Sequence, residues 1–273
     1  MKEKKLLLLF TLPLLFAACE KEIDVDYRQV APIYVAEATL TQEKATVRLS
    51  TTQDVTDNDR DTHVVTGATI VLSWQGEEMG KFTYTKNGIY TANLTGVPGN
   101  TYDIDIYVDD QHFSSSSTMQ EKPVMNSFRF VWKKVLSERM LFADLRLQDE
   151  PSKSNYYFMH IYRNNVGYRW AVMTDEKNPN NELQQLFSCT TERDMNKGDE
   201  DALQDGDRIR VEIRAIDRRS YDYLYSMQVM DNAGSNPIQN FSGGCLGYFS
   251  AYSFITHQLT FQRSQVEEDD ADK

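Results

Sequence analysis

The residues able to do chemistry are sparse and scattered. His63, His112, His160 and His257 lie roughly fifty residues apart or more. None stands in the His-x-x-Glu-His spacing that sets two imidazoles on one helix face. No Gly-x-Ser-x-Gly elbow, phosphate loop or dinucleotide fingerprint occurs, and Cys189 has no neighbouring histidine to activate its thiol. The run Asp57-Asn58-Asp59-Arg60-Asp61 places carboxylates at alternate positions, as the opening of a calcium loop does, because calcium takes hard oxygen ligands. Thr62 then stands where the turn glycine belongs and Ala68 where the closing glutamate belongs. The run therefore reads as an acidic loop, with calcium at Asp57, Asp59 and Asp61 as the alternative and no other cofactor expected. Trp74, Trp132 and Trp170 offer flat rings that can stack on a sugar, although residues inside alternating runs more often pack into a core. A hydrolase would need two converging carboxylates, and the sequence does not say which of its acidic residues converge.

The bulk properties narrow the classes. With 41 acidic against 29 basic side chains in 273 residues, the formal charge of −12 argues against nucleic acid as a partner. Apolar residues at 40% and aromatics at 11% supply a core that a disordered acidic chain lacks.

The first eighteen residues read as a secretory signal: Lys2, Lys4 and Lys5, then the apolar run from Leu6 to Phe16, too short to span a bilayer. Phe16-Ala17-Ala18-Cys19 resembles the lipobox of bacterial lipoproteins, which implies cleavage before Cys19 and a diacylglycerol thioether on its sulfur. An anchor with more than one acyl chain holds firmly. Residues 19–30 form an acidic tether, Cys19-Glu20-Lys21-Glu22-Ile23-Asp24-Val25-Asp26 at its start, which resembles a surface-export signal. An outward-facing position on the outer membrane is the favoured expectation, and a periplasmic-facing one the alternative. With Cys19 lipidated, Cys189 and Cys245 remain as a pair, and export to an oxidising compartment predicts a disulfide between them. Two buried free thiols are the alternative.

Period-two alternation dominates the rest and predicts a mainly β protein. Strands are expected at Ile33–Leu40, Ala45–Ser50, Thr69–Trp74, Lys81–Thr85, Ile89–Ala92, Tyr102–Val108 and His112–Ser116, with turns at Asn87-Gly88 and Gly96–Asn100. That density predicts an immunoglobulin-like sandwich over residues 31–119. Past a seam at Met119–Pro123, a second β-rich domain is expected over 124–264. Its strands are Ser127–Trp132, Met140–Leu147, Tyr156–Tyr162, Tyr168–Met173, Arg208–Ile216 and Tyr252–Phe261. Helical spacing of Tyr223, Met227 and Met230, with Leu224 beside them, predicts one helix near 220–230, capped by Asp217 or Ser220 and packed through that stripe. Residues 265–273 read as an acidic disordered tail.

Several stretches resemble one family: Cys19–Val25 leading to Ile33–Glu37; Val65–Leu72, Gly88-Ile89-Tyr90 and Gly96–Tyr102; then Asn155-Tyr156-Tyr157, Gly206-Asp207, Tyr221–Tyr225 and Phe241–Phe249. In that order and spacing they resemble the domain-of-unknown-function family 4249 of Bacteroidota cell-envelope lipoproteins. The resemblance implies an envelope lipoprotein, often encoded beside TonB-dependent outer-membrane receptors. It carries over no catalytic residue and no ligand. The resulting expectation is a non-enzymatic lipoprotein that binds a ligand or scaffolds such a receptor, with a surface adhesin as second reading and a hydrolase as third.

Overall fold

Alternating burial, rather than helical packing, organises the chain. The computed structural model describes residues 31–53, 63–150, 152–176, 180–230 and 237–269. The signal segment, the tether with Cys19, and Asp57, Asp59 and Asp61 lie outside them. In β7 (Thr101–Val108) the sequence TYDIDIYV buries Tyr102, Ile104, Ile106 and Val108 and turns the intervening polar side chains outward. The same period repeats in β1 (Tyr34–Leu40), β2 (Ala45–Thr51) and β3 (Thr69–Trp74).

With β4 (Glu77–Lys81), β5 (Thr83–Lys86), β6 (Ile89–Ala92) and β8 (Gln111–Thr118), these strands make two sheets. One runs β1-β2-β6-β5 and the other β4-β3-β7-β8. That order is the immunoglobulin-type Greek key, A-B-E-D facing C′-C-F-G. The apolar faces meet in one core that includes Leu40, Leu49, Leu72, Ile104 and Phe113. The mainly β class and the first sandwich stand as the sequence predicts.

The second set comprises β9 (Met125–Val135), β10 (Glu138–Gln148), β11 (Tyr156–Arg163), β12 (Val166–Thr174), β13 (Glu182–Thr191), β14 (Arg208–Ile216) and β16 (Ser253–Thr260). Sheets β13-β10-β9 and β12-β11-β14-β16 enclose a second core around Leu141, Leu145, Met159, Val211 and Phe261. Helix α1 (Glu192–Lys197) and strands β4 and β13 are absent from the sequence expectation. In β13 the inward run Leu183, Phe187 and Cys189 is interrupted by Gln185, which hides the period. Helix α2 (Arg218–Met230) appears where predicted, and Asp217 caps it by accepting the Ser220 amide at 2.8 Å. Its buried stripe differs from the expected one. Ser220, Tyr223, Leu224 and Ser226 are buried, whereas Met227 is 40% exposed.

Three expectations need correction. The domains are not contiguous in sequence. Strand β15 (Leu246–Ala251), inside the segment assigned to the second domain, pairs in parallel with β1 and widens the first sandwich. From Pro32 onward the chain is one compact unit. The tail is not wholly disordered either: Glu267–Glu268 form β17, parallel to β9, because Glu267, Glu268 and Asp269 meet Arg129, Arg139 and Lys133. Finally, Cys189 and Cys245 are both free and buried. Cys245 belongs to the core of the first sandwich and Cys189 to that of the second. Each thiol is therefore walled off by its own core, and burial pushes them up to about 11 for Cys189 and about 12 for Cys245.

The seam between sandwiches is hydrogen-bonded. Asp217 caps α2 with one carboxylate oxygen and accepts the Thr118 amide of β8 with the other at 2.9 Å. Replacing Asp217→Ala removes the cap and orphans that amide, so chemical denaturation should show a loss of about 2–3 kcal/mol. A thiol titration of denatured, unreduced protein should find Cys189 and Cys245 both reactive, and alkylation of the folded chain at mildly alkaline pH should be slow at both.

Candidate functional site

Arg208-Ile209-Arg210-Val211-Glu212-Ile213-Arg214-Ala215 alternates charge with apolar residue. In β14 this sends Ile209, Val211, Ile213 and Ala215 into the core and Arg210, Glu212 and Arg214 to the opposite face of the sheet. The neighbouring β11 sends Tyr156, Phe158, His160 and Tyr162 to that same face, and β12 adds Trp170 and Val172, which pair with His160 and Phe158. The result is a ladder of rings and guanidinium groups across the sheet.

Arg210 lies over Tyr162 at 3.8 Å from the ring centre, and Arg214 over Phe158 at 4.9 Å and over Tyr252 at 4.8 Å. Glu212 accepts from both arginines, from Arg214 at 2.6 Å and Arg210 at 2.9 Å. His160 stacks on Tyr162 at 4.0 Å. Burial, and then the charge of Arg214, hold this imidazole below its ordinary pKa. Gly167 makes room for it, since a Cβ there would stand 2.9 Å from its Nε2. Trp170 tilts against Phe158 at 5.9 Å and is 41% exposed.

Helix α2 covers one end of the ladder. Tyr223 and Leu224 pack with Tyr156, Phe158, Val172 and Tyr252, and Gln228 accepts the Val172 amide at 3.0 Å. Tyr223 also stacks on Tyr248 of β15 at 5.1 Å. Tyr221 and Tyr225, four residues apart, share a face of the helix, with rings stacked at 5.6 Å. Past this docked stripe, Tyr225, Met227 and Val229 are exposed. Helix and ladder together form an apolar, aromatic surface with two arginines and one glutamate set into it.

Of the three tryptophans, Trp132 is buried in the second core, whereas Trp74 and Trp170 reach solvent. His63, His112, His160 and His257 sit on separate strands or loops. His112 is bound to Asp105 at 2.6 Å and His257 lies edge-on to Phe128.

A pair of carboxyl groups that the sequence did not single out lies at the seam. Asp149 and Asp175 are both buried and share a hydrogen bond. The backbone N and side-chain Nδ2 of Asn155 each donate to Asp175 at 2.8 Å. Burial, then the charge of Asp175, push Asp149 above the usual aspartate value. Tyr157 is pushed up to about 12, first by burial and then by both carboxyl groups. Asp149 also lines a recess of about 200 Å³ with Gln120, Lys122, Glu150 and Asn155. The two aspartates stand twenty-six residues apart in sequence, on either side of a hairpin, with no motif to flag them.

The raised value means the folded chain binds a proton more tightly than the unfolded one. The stability contributed by Asp149 is therefore full below the ordinary aspartate value of 3.8 and is lost as pH rises through the raised one. Asp149→Asn keeps a neutral partner for Asp175 and should raise the thermal midpoint at pH 7 by about 2–4 °C, with the gain vanishing in acid.

No curated protein matches the sequence. Among solved structures, a two-domain fibronectin type-III segment of chicken tenascin is similar at 12% identity and a TM-score of 0.23, covering 85% of this chain and 100% of that one. The model of the family described as "Domain of unknown function (DUF4249)" matches residues 20–258, and the chain belongs to that family.

Proposed function

We propose that this chain is a non-enzymatic, lipid-anchored protein of the outer membrane. In this reading it binds a ligand or scaffolds a partner, such as a TonB-dependent uptake receptor, through the aromatic face of its second sandwich. The observation that carries the reading is that Trp170 of β12 and, one turn apart on α2, Tyr225 and Val229 stay exposed in the sandwich that carries the Arg210–Glu212–Arg214 ladder. Adjacent exposed apolar side chains rimmed by charge are characteristic of interaction surfaces. Tryptophan, tyrosine, methionine and arginine are the residue types enriched at such surfaces. Met227 adds a side chain able to adapt to a partner's shape.

The basic start, apolar run and Phe16-Ala17-Ala18-Cys19 support the anchor. Among the described residues no helix is long and apolar enough to cross a membrane. The acidic residues after Cys19 support an outward-facing position.

The hydrolase, third among the readings of the sequence, draws its support from Asp149 and Asp175. A carboxyl group raised above its ordinary value by burial and a neighbouring carboxylate, as Asp149 is, is one route to acid–base chemistry. The pair sits too close for the separated carboxyl groups of a glycosidase. The Asn155 donors also hold Asp175 in a structural role, as a tie between two loops.

Gentle detergent pull-down from native membranes tests the leading reading. The wild-type chain should bring down a β-barrel receptor, and Trp170→Ala with Met227→Ser should weaken that capture about ten-fold or more. Capture that is equal for both chains would move the contact elsewhere. Failure to capture any barrel protein, under conditions that keep known complexes whole, would remove the receptor from the reading.

A further inference from the structure

We infer that the free edge of β9 is a docking site for an acidic, extended segment of another polypeptide, and that the chain's own C-terminal tail occupies part of it. Strand β9 is eleven residues long and has β10 on one side. On its other side the only neighbour among the described residues is β17, which pairs with Val131 and Trp132 alone. The Asp269 amide then donates to the Trp132 carbonyl at 3.0 Å. Most of a long edge is thus left without a strand partner, and an open edge is a template for another chain.

The side chains at this edge select for charge. Glu267 meets Arg129, Glu268 meets Arg139 and Asp269 meets Lys133. Arg139 lies over the ring of Trp132 at 4.5 Å, and Arg263 approaches the same ring at 5.7 Å. Arg129 and Arg139 also pair with Asp144 at 3.4 Å and Glu192 at 2.6 Å, so each of these arginines is shared between a carboxylate of the sandwich and one of the tail. The occupant seen in the structure defines the chemistry of an occupant from elsewhere: an extended backbone with consecutive carboxylates.

The resident tail can fill only part of the edge. Phe261 is buried in the second core, and the tight turn Arg263–Gln265 follows at once. The chain reaches the edge only at Glu267, so it cannot pair with the preceding part of β9. A segment from another chain carries no such tether and can extend the parallel pairing toward Met125. Glu267 and Glu268 are 55% and 58% exposed, so their ion pairs are weak and screened by salt. What holds the tail in place is its attachment, which supplies a high effective concentration.

A fluorescent peptide of residues 265–273, titrated into the full chain and read by anisotropy, tests the site. The variant Glu267→Lys, Glu268→Lys, Asp269→Lys displaces the resident tail and should bind the peptide about ten-fold more tightly than wild type. Adding Arg129→Gln and Arg139→Gln to that variant should abolish binding, and about 0.5 M salt should weaken it strongly. Independently of any variant, hydrogen exchange on the wild-type chain should show residues 267–269 losing protection when peptide is in excess, while the β9–β10 ladder stays protected. No saturable binding by the folded tail variant, binding indifferent to Arg129 and Arg139, or a tail whose exchange ignores excess peptide would each overturn the inference.

Discussion

Between Ala251 and Ser253 the chain leaves one sheet and enters another, and the position of every larger element follows from that crossing. Leu246–Ala251 run parallel to β1 in the first sandwich, and Ser253–Thr260 run antiparallel to β14 in the second. Tyr252 makes the passage, its amide donating to the Leu40 carbonyl at 2.9 Å. On either side, Ala251 donates to the Ser117 hydroxyl and the Ser253 hydroxyl donates to the Gln120 carbonyl. A sheet register is quantised, because a slip of one residue turns every side chain to the wrong face. A strand shared by two sheets therefore fixes both registers at once. It also explains why β8 is tied to α2 through Asp217: the seam must stay closed for the crossing strand to keep both sets of bonds.

The crossing has local requirements that account for the glycine-rich stretch before it. Gly247 adopts φ +95°, and a Cβ there would collide with the Ala36 carbonyl of the parallel neighbour. Gly243 approaches the His112 carbonyl in the same way. On either side of these glycines the chain covers the edge of β8: the Ser242 amide donates to the Ser114 carbonyl, and Asn240 accepts the Phe249 amide with its side-chain oxygen while taking the Ser115 hydroxyl. The residues that carry the family resemblance at Phe241–Phe249 are thus the residues that seal the sandwich edge. Their spacing has a structural cause sufficient in itself.

That distinction explains what could and could not be read before the structure. Strands such as Thr101–Val108 are legible because a half-buried strand prints its period directly into the sequence. The sharing of β15 is not legible, since LGYFSA is buried on both sides and carries no period. The expectation of a disulfide failed for a related reason: compartment and parity of cysteines say nothing about which core each thiol enters. The ring and guanidinium ladder was half visible. Arg210, Glu212 and Arg214 alternate in one run, but their partners His160, Tyr162 and Trp170 come from β11 and β12, and only pairing brings them together. Asp149 and Asp175 were invisible, since nothing local marks two aspartates that meet across a hairpin.

The two surfaces differ in how much demand each leaves unmet. On the ladder, Glu212 neutralises one arginine charge, Tyr162 and Phe158 lie under the guanidinium groups, and burial holds His160 below its ordinary pKa. Groups satisfied in this way are preorganised, so a partner laid over Trp170 and Met227 gains contact area with little ordering cost. At the β9 edge the balance is reversed. Main-chain donors and acceptors of a long strand face outward beside Arg129, Lys133 and Arg139, and the tail answers at only two strand positions. Backbone demand of this kind is met by another backbone, whereas apolar area is met by a shape. On the reading proposed above, the same sandwich offers one face to a folded partner and one edge to an extended one, and a lipid anchor at Cys19 would hold both at a membrane surface.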